Sequence, residues 1–357
     1  MSTAVDHELL VELTEERGVP GYEDRVRELV REELEPHVDR VRSDAMGNLV
    51  GTVEGSADPD YDVIVAAHMD EIGFMVRHVD DDGFLQLDAL GGWDARILRA
   101  QRVTVHTDGD GDGDDDLTGV IGSVPPHTLD EEDREKTDEV EDVHVDLGLD
   151  AEAVEERVAV GDLVTLDQTT ERVGAFVTGK ALDNRVSVYA MLEAARALAE
   201  PDVTVHFAAT TQEEVGLRGA EALGVDVDPD LVVAVDTTVA NDVPGFEGGE
   251  QVTRLGEGAG IKLKDSSVIT NHKVHRRLRA VAEDDDVDYQ LEVLPAGGTD
   301  TGGLQRTSGA TPAGAVSVPT RYLHTPTECV HEDDVAAVVD LLVGFLESED
   351  GSHDYTL

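Results

Sequence analysis

Val63-Ile64-Val65-Ala66-Ala67-His68-Met69-Asp70-Glu71 passes from uninterrupted apolar residues to polar ones in a single step. A β-branched and alanine run of this kind reads as a strand buried on both faces, as in parallel sheets, that delivers its polar groups at the carboxyl end. The same grammar recurs where the apolar run 231–235 empties into Asp236, and a further strand over 203–209 leads into Thr210-Thr211-Gln212-Glu213-Glu214. Helical periodicity is expected over 7–17, 22–35, 184–199, 216–223, 273–283 and 333–347, with further strands over 48–53, 290–294 and 315–318. Strands alternating with helices predict an α/β fold whose mainly parallel sheet is covered on both faces. In such sheets functional groups gather beyond the carboxyl ends of the strands.

From Gly73 to about Leu166 the texture changes to short apolar runs, glycines and acidic loops. This stretch reads as a small β domain inserted into the chain, with boundaries at 1–71, 72–166 and 167–357. The run Asp108 to Asp116 alternates aspartate and glycine like a calcium loop. Gly119 stands where the closing bidentate glutamate would be needed, so a solvated acidic loop is the better reading. Residues 245–260 are also acidic and glycine-rich.

The 357 residues carry 79 Asp and Glu against 27 Lys and Arg, a formal net charge of -52, yet 40% of them are hydrophobic. Apolar runs recur from end to end, so the acidity belongs to the surface of a globular chain and not to a disordered one. Such a surface repels itself in dilute buffer, and at molar salt the Debye length falls to ~3 Å, which relieves the repulsion. The pattern points to a salt-rich cytoplasm and excludes nucleic acid as a partner, because phosphate is repelled too. Cys329 is the only cysteine, which excludes an internal disulfide or a thiolate metal cluster. The first ten residues have no apolar core region, and no run reaches the ~20 apolar residues of a membrane span.

The candidate chemistry lies at the strand ends. His68 and Asp70, two apart in an extended backbone, leave on the same side, where the carboxylate could support a metal-bound imidazole. Asp183 opens the helix over 184–199, a position that suits an N-cap and equally suits a carboxylate between two cations. Adjacent Glu213 and Glu214 at the mouth of a buried strand are costly to desolvate unless a cation or proton compensates. Asp236, a charge ending an apolar strand, also calls for a partner. His324 lies in the loop after the run 315–318. Two histidines and three carboxylates in this arrangement, His68, Asp183, Glu214, Asp236 and His324, are ligands that Zn²⁺, Co²⁺ or Mn²⁺ accept. Gly297-Gly298-Thr299-Asp300-Thr301-Gly302 reads either as a turn or as a wall where backbone approaches a ligand.

His68-Met69-Asp70-Glu71-Ile72-Gly73-Phe74, Gly179-Lys180-Ala181-Leu182-Asp183-Asn184-Arg185, Gln212-Glu213-Glu214-Val215-Gly216-Leu217-Arg218-Gly219-Ala220 and Pro319-Thr320-Arg321-Tyr322-Leu323-His324 together resemble the tetrahedral (TET) metalloaminopeptidases. Members of that family are often labelled glutamyl aminopeptidase or endoglucanase, and the acidity resembles the haloarchaeal type. The likeness extends through Gly91-Gly92-Trp93, Gly119-Val120-Ile121-Gly122 and Pro125-Pro126-His127 of the inserted stretch.

What the resemblance implies is a three-layer zinc-exopeptidase domain of the phosphorylase/hydrolase-like type, interrupted by a small β-barrel or PDZ-like dimerisation domain. Dimers would assemble into a hollow homododecamer that admits peptides. Two divalent ions per subunit, Zn²⁺ or Co²⁺, are implied, with Asp183 bridging, His68 and Asp236 completing one site, and Glu214 and His324 the other. Glu213 would be the general base, with Asp70 supporting His68. Gly298, Thr299, Asp300 and Arg321 are the residues expected to meet substrate.

Two other functions compete. A glycoside hydrolase using Glu213 and a second carboxylate leaves both histidines without a role, and 4% aromatic residues offer little surface for stacking sugars. A non-catalytic, metal-stabilised shell protein leaves Glu213 without one.

Overall fold

The apolar run 63–67 forms the inner half of a strand whose side chains are divided between two cores. Val63, Val65 and Ala67 pack into the larger core, while Ile64 and Ala66 pack into a smaller one on the opposite face. That alternation makes the strand the middle of three layers. The computed structural model describes residues 5–107, 115–130, 139–246 and 251–357. The acidic runs at 108–116 and 245–260 therefore lie partly outside the described residues.

The chain begins with α1 (His7–Glu15) and α2 (Asp24–Leu34), followed by β1 (Arg40–Ser43), β2 (Leu49–Val53) and β3 (Asp58–His68). It then leaves the sheet for β4 (Gly73–Val79), β5 (Leu85–Leu90), β6 (Arg102–His106), β7 (Leu117–Ile121), β8 (His144–Asp146), α3 (Ala151–Arg157) and β9 (Leu163–Leu166). It returns through β10 (Glu171–Val173), β11 (Phe176–Gly179), α4 (Leu182–Ala197), β12 (Val203–Thr210), α5 (Arg218–Val227) and β13 (Leu231–Val239). The remainder is β14 (Ala259–Lys264), α6 (His272–Asp284), β15 (Tyr289–Val293), α7 (Asp300–Leu304), β16 (Ala313–Arg321), β17 (Glu328–His331) and α8 (Glu332–Glu347).

Among the described residues the main sheet has 11 strands, in the order β1-β2-β12-β3-β13-β16-β17-β11-β10, with β14 and β15 branching from β16. The parallel character expected from the sequence holds at the centre and between β14 and β15 on the branch. β12, β3, β13 and β16 run parallel, whereas β2 against β12 and β17 against β16 are antiparallel. The sheet is therefore mixed, because the short flanking strands come from hairpins and not from helical crossovers. Helices α1, α2, α4, α6 and α8 supply the larger core, and α5 and α7 the smaller.

β4, β5, β8, β7, β6 and β9 close into an antiparallel barrel. It has a separate core that includes Phe74, Val76, Leu87, Val103, Val145 and Val164. Closure removes the exposed edges that six short strands would otherwise present. The barrel departs from the sheet just after His68 and returns shortly before Asp183, so its base sits beside the carboxyl end of β3.

One buried cation ties this junction together. Arg185, in the first turns of α4, is fully buried and donates to the carbonyls of Met69 at 2.6 Å, Leu13 at 2.5 Å and Glu16 at 2.8 Å. It joins the end of α1 to the exit of β3, with Glu71 3.9 Å away as counter-charge. Replacing it with Leu strands those carbonyls and leaves Glu71 with Lys180 alone, at a cost of about 3–5 kcal/mol. Arg185→Leu is expected to lower the denaturant midpoint accordingly at fixed salt, and an unchanged midpoint would contradict this role.

Candidate metal centre

Three buried strands end side by side, and their first polar residues converge. In register, His68 at the end of β3 pairs with Thr210 at the end of β12, just before Glu213 and Glu214, while β13 carries Asp236 along the other side of β3. The fourth contribution comes from α4. Asp183 stands in its first turn with non-helical backbone angles, its peptide bond to Asn184 is cis, and no side chain caps the helix. The capping role that the sequence allowed for Asp183 is therefore not taken. Its carboxylate points into the cluster instead.

The distances define overlapping groups. His68 Nε2 lies 3.5 Å from Asp183 Oδ1 and 3.7 Å from Asp236 Oδ1. His324 Nε2 lies 3.3 Å from Asp183 Oδ2 and 3.8 Å from Glu214 Oε2. Each of the triads His68–Asp183–Asp236, Asp183–Glu214–His324 and His68–Glu213–Glu214 brings its ligand atoms within 4.8 Å of one another. Glu213 stands between, its Oε2 4.0 Å from His68 Nε2.

Both imidazoles are oriented from behind. His68 Nδ1 donates to the Asp70 carbonyl at 3.1 Å, and His324 Nδ1 to the Gly92 carbonyl at 2.9 Å. A carbonyl only accepts, so each Nδ1 carries a hydrogen and each neutral ring would turn its Nε2 lone pair into the cluster. The Asp70 carboxylate accepts from the backbone N–H groups of Glu213 and Glu214 at 3.0 and 3.1 Å, so one residue positions three members of the set.

Two of these supports were not singled out from sequence. Glu328, fully buried, accepts from Asp183 N and His324 N, both at 2.9 Å, and so fixes the backbone at two candidate ligands. Its signal was a carboxylate opening a strand four residues after His324. Gly92 belongs to the loop after β5, where Trp93 stacks on Phe74 at 4.7 Å and donates Nε1 to the Gly73 carbonyl. The barrel thereby helps to hold a sheet-side histidine.

Of the residues expected to meet substrate, Gly298 and Thr299 line a cavity of about 340 Å³ that opens onto the cluster. Asp300 is buried beside the cluster, where Thr210 donates to it. Arg321 does not line the cavity. Its guanidinium makes a two-pronged pair with Asp242 at 2.7 and 2.6 Å and lies 5.2 Å over the Phe176 ring, so its donors are already engaged.

The electrostatics show what the set lacks. Burial and the neighbouring Asp183 push the Glu214 carboxyl up to about 8. Burial, with Asp236, Asp300 and Glu214 adding to it, raises Glu213 well above the carboxylate range. Burial and Asp236 bring Asp300 to about 7. Burial also opposes ionisation of Asp183, but His324 and His68 overcome it and hold that carboxyl low. Burial disfavours the charged imidazoles, yet the acids around them raise His68 well above its ordinary value and His324 to about 10. Among the described residues no hydrogen bond reaches the buried Oδ1 atoms of Asp183 and Asp300. Oxygen and nitrogen donors this crowded, with orphaned oxygens, fit divalent cations.

Residues 47–341 match the family model for M42 glutamyl aminopeptidases. The chain is 34% identical to the lysyl aminopeptidase of Pyrococcus furiosus over 96% of its length and 97% of that protein's. The aminopeptidase APDkam598 of Desulfurococcus kamchatkensis superposes with a TM-score of 0.91 at 38% identity, covering 96% of this chain and 94% of the other. The TET1 peptidase of Pyrococcus horikoshii, described as able to assemble into a tetrahedron or a large octahedral shell, superposes with a TM-score of 0.84 at 32% identity, covering 96% and 99%.

Proton linkage supplies a test of the cluster. Ligation requires neutral histidine and ionised carboxylate, so groups whose proton affinity is raised must release protons when a cation binds. At pH 7 His324, raised to about 10, and Glu214, raised to about 8, lie on the protonated side, and His68 and Glu213 are shifted in the same direction. Titration of the chelated protein with Zn²⁺ in buffers of different ionisation enthalpy is expected to show net proton release, and affinity should weaken as pH falls. An observed enthalpy that is the same in every buffer would count against the assignment.

Proposed function

This chain belongs to the M42 aminopeptidase family, and from that premise we propose that it is a two-metal aminopeptidase removing N-terminal residues from peptides. The observation that carries the reading is Asp183, whose two carboxylate oxygens face two different imidazoles, at 3.5 and 3.3 Å. In this reading Asp183 spans both sites, His68 and Asp236 complete one, Glu214 and His324 complete the other, and the ions are Zn²⁺ or Co²⁺. Bound there, the cations would polarise the scissile carbonyl and lower the pKa of water toward ~7.

Glu213 takes the proton from the attacking water and hands it to the departing amine nitrogen. Its burial among acids gives it the proton affinity that carriage requires. Asp70 acts through others, holding the Glu213 and Glu214 backbone while its carbonyl orients His68. Gly298 and Thr299 form part of the wall against which the peptide lies. A glycosidase reading is not favoured, since two imidazoles interleaved with the carboxylates have no task in it. A purely structural shell is not favoured either, because it gives Glu213, 4.0 Å from His68 Nε2, only the part of one more ligand.

The proposed organisation is a catalytic domain from 1–71 and 167–357, with 72–166 as the dimerisation domain of a hollow dodecamer. The closed barrel with its own core supports that division, as does the assembly described for the P. horikoshii peptidase. A net charge of -52 supports adaptation to a salt-rich cytoplasm. Among the described residues no helix is long and apolar enough to cross a membrane.

Glu213→Gln is expected to retain its metals while release of free amino acids falls about 100- to 10,000-fold. Metal analysis and an amino-acid release assay on one sample check this, and wild-type turnover would refute the role. Sedimentation should show a large particle at molar salt that dissociates in dilute buffer, as charge repulsion is unscreened. A particle of one size in both would remove the halophilic argument.

A further inference from the structure

The proposed peptidase activity does not say which N-terminal side chain is taken, and here the cavity wall is informative. Beyond the metal cluster the wall combines apolar Val239 at the end of β13, Leu294, Ala296 and Leu323 with the hydroxyls of Thr237, Thr238 and Thr299 and the glycine pair 297–298. None of these carries a charge. Among the described residues, every charged residue that lines the cavity belongs to the cluster itself, namely His68, Asp183, Glu213, Glu214, Asp236 and His324.

The cations nearby are committed elsewhere. Lys262 is fully buried against Glu292 and Asp265, Lys264 donates to the Asp265 carbonyl, and Arg321 is paired with Asp242. An acidic side chain entering the cavity would lose its water and meet no positive partner on the wall. A lysyl side chain would likewise find no carboxylate on the wall away from the cluster. Burying an unpaired charge is the costliest way to fill a pocket, whereas apolar surface gains from burial. The hydroxyl of Thr238, buried and without a hydrogen-bond partner among the described residues, adds neutral polarity only. At about 340 Å³ the space is at the small end of the ~300–1,000 Å³ usual for ligand pockets, so it suits a residue of moderate size beside the scissile bond.

We propose that this subsite selects a neutral, mainly apolar N-terminal side chain of about leucine or methionine size, and discriminates against both glutamyl and lysyl peptides. The inference rests on the aminopeptidase reading for its chemistry, but the wall is a separate observation. Net charge works in the same direction against acidic substrates, since a surface of -52 repels them before they reach the mouth.

The test has two arms. In the first, the full-length metal-loaded protein is assayed on Leu-Ala, Met-Ala, Glu-Ala and Lys-Ala at molar salt. Its kcat/KM for Leu and Met is expected to exceed that for Glu and Lys at least tenfold. In the second, calorimetry on Glu213→Gln protein measures binding of the same dipeptides, with the same order expected. Cleavage with Glu or Lys equal to or better than Leu overturns the specificity while the peptidase reading survives. Leucyl preference in binding with no cleavage of any peptide by the unsubstituted protein keeps the specificity and overturns the peptidase reading. Neither cleavage nor preferential binding overturns both. Val239→Lys places a cation on the wall outside the catalytic cluster and should raise the Glu-to-Leu ratio of kcat/KM at least tenfold, and an unmoved ratio would refute the placement of the subsite.

Discussion

Uncompensated negative charge at the carboxyl ends of the parallel strands is the constraint around which this molecule is built. Asp70, Asp183, Glu213, Glu214, Asp236 and Asp300 crowd about two imidazoles at the floor of the cavity, most of them buried. Such a group is costly to bury without cations or protons to offset it. In the absence of a cation the balance is struck with protons, which is why carboxyls and imidazoles alike are raised. A divalent ion does the same work with more charge and fewer partners.

The surrounding structure holds like charges close. Asp70 holds the loop bearing Glu213 and Glu214 through two backbone hydrogen bonds, and Glu328 holds the backbone at Asp183 and His324 through two more. In both cases a carboxylate is satisfied by amide hydrogens and not by a competing side-chain cation. Beneath them Lys180 pairs with Glu71 at 2.7 Å, and Arg185 ties the exit of β3 to α1. The barrel enters at this junction, and its Gly92 carbonyl orients His324. Movement of the barrel would therefore be felt at the cluster through one hydrogen bond.

Legibility in the sequence followed burial. β3 and β13 end in runs apolar on both faces and β12 is buried throughout, so these strands stood out and their ends pointed to His68, Glu213, Glu214 and Asp236. The edge strands β1 and β10 are short and partly exposed, and the short inner strand β17 pairs partly with the distant β11, so no local pattern announced them. The mixed character of the sheet was lost for the same reason. Asp183 was ambiguous because capping and ligation ask for the same residue at the same place, and only the non-helical backbone there separates the two. For Arg321 a cation near a site is legible in the sequence, whereas its pairing with Asp242 is not.

Electrostatics operates here on two scales that need not agree. The outer surface is strongly acidic, and its field is screened within ~3 Å at molar salt. The cluster lies in a low-dielectric recess where salt penetrates poorly, so its interactions persist where surface pairs fade. A recognition wall that used charge would sit between these regimes, weakened by salt on its open side. An apolar wall has the opposite dependence, because salts excluded from protein surface strengthen apolar burial. A neutral subsite beside a charged reaction centre is thus the combination whose two halves both keep their function as ionic strength rises.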